Sequence, residues 1–154
     1  MAKIKVWAKD FFLYRCKVKA ILRVMTQDIS WIFHLLVIFE VKHFIGDFPL
    51  QKEYMLKKFL PGWDFFVPLV THCAVHAGLA LAIILVINPA LWWLAVVDFV
   101  WHFIMDRIKS GPKYLGRYTD KTKPGFWNSF GFDQMVHRFT NFYIIWVLVG
   151  GAPY

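Results

Sequence analysis

Cysteine is almost missing from the 154 residues: Cys16 and Cys73 are the only two, they fall in different segments, and no C-x-x-C pair exists. A disulfide framework is therefore not expected, and neither thiol has a neighbour that suggests a nucleophile. Acidic residues are also few, ten against eighteen Lys and Arg, which leaves a formal net charge of +8. The chain has no internal repeat and no low-complexity tract. Its first residues lack a compact apolar run followed by a small-residue cleavage site, so no signal peptide is expected. An excess of positive charge ordinarily raises nucleic acid as a partner. Here the basic residues lie between apolar runs or in the N-terminal stretch, where anionic lipid headgroups account for them. No nucleic acid is expected.

What is abundant is apolar and aromatic. The hydrophobic fraction is 58%, above the roughly 45–50% of soluble domains. Eight Trp, sixteen Phe and six Tyr suit the membrane–water interface. The composition predicts an integral membrane protein of one domain, in a bacterial inner membrane or an equivalent one.

Residues 1–28 read as a basic amphipathic helix. Ile4, Trp7, Phe11, Tyr14, Val18, Ile21 and Met25 recur at steps of three and four, with Lys5, Lys9, Lys19 and Arg23 on the other side of the wheel. Such a helix lies in the headgroup plane or packs on a partner subunit. Residues 29–150 read as an all-α, polytopic membrane bundle of three to four helices. The apolar segments are 30–48, 65–87, 90–108 and about 132–149, with a turn at Asn88-Pro89 and a basic Gly/Pro-rich loop at 109–131. The first is interrupted by His34, Glu40, Lys42, His43 and Asp47, and is long enough to cross or to enter and return.

Lys and Arg number seven in the N-terminal stretch, three after Asp47 (Lys52, Lys57, Lys58) and six in 107–123, with none at the Asn88 turn or after Val149. The positive-inside rule puts both basic loops in the cytoplasm, and favours a first segment that does not fully cross.

Five i,i+4 pairs containing a histidine stand out: His43/Asp47, His72/His76, Asp98/His102, His102/Asp106 and Asp133/His137. Chance placement gives about one, and i,i+4 neighbours share a helix face. Each group sits at the end of one apolar segment or the start of the next, so an up-and-down bundle brings all of them to one membrane face. Imidazole and carboxylate together suit a divalent metal, zinc foremost, with manganese or iron as alternatives. The candidate ligands are His43, His72, His76, Asp98, His102, Asp106 and His137. Asp47 and Asp133 are candidates for the general base or for orienting a ligating imidazole.

Other polar residues accompany these. Glu40 lies three before His43 and could join as E-x-x-H. Gln51, Gln134 and Asn141 extend the polar faces by one turn, and Gly46 and Gly78 suggest close helix approach. Lys42 and Glu53 read as solvated or headgroup-facing charges, and His34 as an interface or core histidine.

The motifs "HFIGDFPLQ" (43–51), "HCAVH" (72–76), "HFIMDRIKS" (102–110) and "DQMVH" (133–137) occur in this order. Together they resemble a family of small bacterial and phage membrane proteins, domain of unknown function 3307, over residues from about 31 to 149. The resemblance implies a compact multi-helix membrane domain and carries no established activity, substrate or metal.

Three functions compete. A metal-dependent hydrolase would use His72, His76, His102 and His137 with Asp98 or Asp106 as ligands, and would act on a lipid or other anionic amphiphile at headgroup level. No Ser or Cys in these motifs reads as a nucleophile. A non-catalytic structural or accessory subunit, bacterial or phage, would use the polar cluster to hold the bundle together. Its partners would be the anionic bilayer and other protein chains or copies of itself. A proton or ion transporter needs a polar path to the far side, and the apolar stretches after Gly78 and before Asp98 offer none.

Overall fold

The computed structural model describes the backbone of residues 2–150, with the side chains of residues 29–150 and of Arg15, Lys17, Val18, Lys19 and Thr26. The elements in order are α1 (Ala2–Asp47), the short α2 (Glu53–Leu56) continued by a 3₁₀ turn at Lys57–Phe59, α3 (Phe66–Ile87), α4 (Trp93–Ser110) and α5 (Pro124–Gly150). Among the described residues there is no strand, so the class is all-α. The amphipathic face expected from Ile4 to Met25 lies outside the described side chains, apart from Val18 and Lys19. The chain divides into two compact units, the first ending at Leu35 and the second beginning at Leu36. In the first, the ring of the exposed His34 donates from Nδ1 to the Ser30 carbonyl (2.6 Å), one helical turn back. The second holds the end of α1 and every other element.

Local chemistry sets the joints of the second unit. Gly62, at φ 72°, makes the turn that leads into α3, a conformation that a side chain disfavours. Pro68 sits in the first turn of α3, where its missing N–H costs no helical hydrogen bond. Asn88 ends that helix in extended conformation, and its side-chain oxygen accepts from the Ala90 amide (3.1 Å), which reverses the chain over Pro89 into α4. Arg107 and Lys109 occupy the last turn of α4, where cations complement the helix dipole. The final helix starts at Pro124 rather than near Phe132. "PGFWNSFG" reads as loop because of its Pro and Gly, yet proline is well suited to a first helical turn. The basic loop is correspondingly shorter. Within it Thr122 donates to Asp120 Oδ1 from its hydroxyl (2.6 Å) and its amide (3.0 Å), holding that carboxyl below the usual range.

α4 packs against α3 on one side and α5 on the other. The buried residues of each helix form one stripe at steps of three and four, and each stripe changes character along its length. On α3, Leu69, His72, Cys73 and His76 give way to Ala80 and Ile84. On α5, Ser129, Asp133, His137 and Asn141 give way to Ile144, Ile145 and Leu148. On α4 the order is reversed, from Leu94 and Ala95 to Asp98, His102, Asp106 and Ser110. The polar ends meet because α4 runs back between its neighbours. Phe65, Leu69 and Cys73 pack with Phe99 and Phe103 beside the polar region, and the Arg107 guanidinium lies 3.4 Å above the Phe65 ring centre.

The outer surface is apolar. Val86 is 87% and Trp146 72% exposed, and Trp101, Phe139 and Val67 also face outward. Among the described residues two helices, Ile29–Asp47 and Phe66–Ile87, are long and apolar enough to cross a membrane. α4 carries Asp98, Asp106, Arg107 and Lys109, and does not qualify by composition.

Lys42 departs from the expectation of a solvated charge. It is 3% exposed, and its Nζ donates to Asp98 Oδ2 at 2.7 Å. The two residues belong to α1 and α4, so the pair clips these helices together. Removing one member strands a buried charge, which costs about 3–5 kcal/mol, whereas replacing both with apolar residues is often neutral. Lys42→Met and Asp98→Leu should each lower stability by about that amount, and the double variant should regain most of it. Denaturant unfolding in a mild detergent measures all three; single variants as stable as the parent would contradict the pairing.

Candidate metal centre

The polar ends of the four stripes form one cluster. Asp47 is the last residue of α1, with His43 one turn before it; His72 and His76 come from α3, His102 and Asp106 from α4, and Asp133 and His137 from α5. The inward stripes alone account for the convergence, since each pair is spaced by one helical turn.

Two carboxylates organise the imidazoles. Asp47 Oδ1 lies 3.3 Å from His76 Nε2 and 3.5 Å from His72 Nε2, while its Oδ2 is 3.1 Å from His43 Nε2. Asp106 faces the other side: Oδ2 is 3.2 Å from His72 Nε2, and Oδ1 is 3.3 Å from His137 Nε2 and 4.0 Å from His102 Nε2. His137 Nε2 is also 3.3 Å from Asp133 Oδ1. The rings crowd together, with centroids 3.9 Å apart for His76 and His102 and 4.1 Å for His102 and His137.

For His43, His72, His76 and His102 these approaches fall short of hydrogen-bond geometry. Nε2 of His43, His72, His76 and His102 is buried without a hydrogen-bond partner, as is Nδ1 of His72 and His76. The ring nitrogens therefore point past the carboxylate oxygens that lie near them. A buried polar atom without a partner costs about 1–3 kcal/mol, so several together need another explanation. A tetrahedral ion with bonds of about 2.0–2.1 Å holds its ligand atoms about 3.3 Å apart, and Asp47 Oδ1 stands 3.3 Å from His76 Nε2 and 3.5 Å from His72 Nε2. Two groups have ligand atoms that all lie within 4.8 Å of one another: Asp47, His72, His76 and His102, and then His102, Asp106 and His137. The first is a complete four-ligand set of three imidazoles and one carboxylate, which suits a divalent metal.

The expected residues sort as follows. His72, His76, His102, Asp106 and His137 fall in the metal-competent groups, and Asp47 joins them as a potential ligand. His43 stands at the edge, ring against His76 (5.1 Å) and His137 (5.2 Å), with its Nε2 on Asp47. Asp98 is in neither group, because Lys42 holds its carboxylate. Glu40 faces outward and meets Arg138 at 3.5 Å, so the E-x-x-H idea does not hold. Gln134 donates to Asp133 Oδ2 at 3.4 Å, and Asn141 is buried one turn beyond His137. Gly46 is needed for close approach: a Cβ there would collide with the His76 ring. Gly78 is not, since a Cβ would meet open space.

Lys58 is the residue that sequence reasoning missed. Its Nζ donates to Asp106 Oδ2 at 2.7 Å. The 3₁₀ turn places Lys58 on the same side as the buried Met55, three residues earlier, and that i,i+3 spacing was the available signal. Beside the cluster opens a cleft of about 430 Å³, which Asp47, Asp106, Asp133 and His137 line together with Lys58 and Lys109. The Asp47 side chain keeps 22% exposure.

Because His76 is hemmed in by His43, His72 and His102, it has no room to yield to a larger residue at position 46. Gly46→Ala should cost about 1–3 kcal/mol through overpacking, and His76→Ala added to it should recover part of the loss. Gly78→Ala should be neutral or stabilising by up to about 1 kcal/mol. Equal unfolding midpoints for Gly46→Ala and the parent would contradict the close approach.

No curated protein and no solved structure matches the chain. Residues 33–151, a span that contains every member of the cluster, match the family described as Protein of unknown function (DUF3307), and the chain belongs to that family.

Proposed function

We infer that the chain is a helical membrane protein carrying one divalent-metal centre near a membrane face, and that it acts as a metal-dependent hydrolase on a lipid or similar amphiphile. The membrane reading is supported by the inverted distribution of residues: Trp, Phe and Val outside, with His, Asp and Lys inside. On this reading α4 and α5 cross beside the two apolar helices, their charged groups turned inward.

One observation carries the metal reading. Asp47 lies 3.5 Å from His72 Nε2 and 3.3 Å from His76 Nε2, close to a tetrahedral edge. The ligand atoms of these three and His102 all lie within 4.8 Å of one another, and Nε2 of each of the three imidazoles has no hydrogen-bond partner. We assign the ion to these four. The Lys58 ammonium already neutralises Asp106, which argues against a second ion at His102, Asp106 and His137. Zinc suits the ligand set best, with manganese or iron as alternatives.

A divalent ion at this place lowers the pKa of a water and polarises a carbonyl or phosphoryl oxygen. The chain supplies the rest. Asp133 lines the cleft 3.3 Å from His137, so it is the carboxylate we assign to take a proton from water. His137, 3.3 Å from both Asp133 and Asp106, fixes the two carboxylates relative to each other.

A non-catalytic role is favoured by one observation, the buried Lys42–Asp98 pair, which joins α1 to α4 without any metal. A cluster serving the same end would keep the bundle closed and turn nothing over.

Elemental analysis of the purified protein should give about one divalent ion per chain, lost in His72→Ala and His102→Ala and retained in Lys58→Met. Chelation should abolish release of product from bilayer lipids by the parent. Protein free of metal would overturn the whole reading. Bound metal without turnover on any lipid would leave the structural role.

A further inference from the structure

One cation in the cleft has no counter-charge. Lys109 extends from the last turn of α4, and its Nζ lies 5.3 Å from the ring centre of Phe126 and 5.8 Å from that of Phe130. Both rings line the cleft, as does Lys109 itself. Among the described residues no carboxylate lies within ion-pair distance of it. The aromatic faces hold the ammonium in place by cation–π attraction without neutralising it.

The charges around it close without Lys109. Asp47, Asp106 and Asp133 contribute three negative charges, Lys58 contributes one positive charge and one divalent ion two. Lys42 and Asp98 cancel each other apart from the cleft. With the ion in place the three carboxylates are balanced, and Lys109 adds a further positive charge on a wall where Phe48, Leu56 and Phe59 stand beside polar side chains such as Gln51 and Thr119. In such surroundings an unpaired cation attracts an anion strongly. Without the ion the three carboxylates outnumber Lys58 and would repel one.

We propose that Lys109 is the anion anchor of this cleft and that the substrate is a lipid with a phosphate-bearing headgroup. The phosphate sits between Lys109 and the metal ligands, and the first methylenes of the chain lie against the aromatic wall. Phosphate suits both ends because its oxygens point to opposite sides of the phosphorus. A Lys ammonium is an established phosphate partner as a point charge. The cleft, at about 430 Å³, has the size of a headgroup site, and the rest of the lipid remains in the bilayer. This assignment rests on the metal reading above, because only the metal-loaded site has its carboxylates balanced.

The full chain in detergent, loaded with zinc, is titrated with phosphatidic acid and with diacylglycerol of the same acyl chains, and bound lipid is counted by native mass spectrometry. The metal content of each sample is measured beside it. The parent should prefer phosphatidic acid by about tenfold or more. Lys109→Met should lose that preference while keeping its metal, and Lys109→Arg should retain it. Zinc removal should abolish it in the parent. A metal-loaded parent with no preference, or a Lys109→Met variant that keeps one, overturns the anchor. Full displacement of the lipid by an equal concentration of inorganic phosphate overturns the lipid as ligand. A parent that takes up no metal overturns the earlier reading, and is seen in the metal measurement before any lipid is added.

Discussion

Charge has to be compensated inside a low-dielectric interior, and the second unit of this protein buries more carboxylates than ammonium groups. Asp98, Asp106 and Asp133 are buried and Asp47 largely so, whereas the buried ammonium groups among the described residues are Lys42 and Lys58. Each lysine takes one carboxylate at 2.7 Å. Asp47 and Asp133 have imidazoles as their nearest ionisable partners. A divalent cation would offset that imbalance, and the surrounding nitrogens that lack hydrogen-bond partners could serve as its ligands.

The architecture follows from the same constraint. Polar residues are confined to one end of each inward stripe, so that α1, α3, α4 and α5 must bring those ends together. The opposite ends are apolar and close the bundle with Ile84, Leu94, Ile144 and Leu148, all fully buried. Gly46 lets α1 approach closely enough for Asp47 to reach two imidazoles of α3. The short turn at Lys57–Phe59 brings Lys58 back to Asp106. Residues distant in the chain thus answer one electrostatic demand.

Much of this was legible in the sequence because helices repeat. An i,i+4 pair fixes which residues share a face, and alternating directions fix which ends meet, so His43, Asp47, His72, His76, His102, Asp106, Asp133 and His137 could be grouped before any coordinates. Periodicity does not say which partner a charge chooses. Asp98 shares the spacing of His102 and Asp106, yet it lies one turn further from the cluster and belongs to Lys42. Lys42 and Lys58 look like headgroup-facing cations in the sequence because a lysine stem is long enough to reach either way. Glu40 was separated from His43 by the other half of the same rule, since three residues on a helix leave room for an outward turn toward Arg138. The start of α5 was hidden by Pro124 and Gly125, whose composition signals a loop although the position tolerates a helix.

The central claim is that three imidazoles and one carboxylate hold a single ion, and X-ray absorption at the zinc edge of the reconstituted protein tests it most directly. The account predicts a shell of four nitrogen and oxygen atoms at about 2.0–2.1 Å, with the outer scattering of three imidazole rings and no sulfur. A shell of oxygen atoms without imidazole scattering, or a spectrum unchanged by His72→Ala, would contradict it.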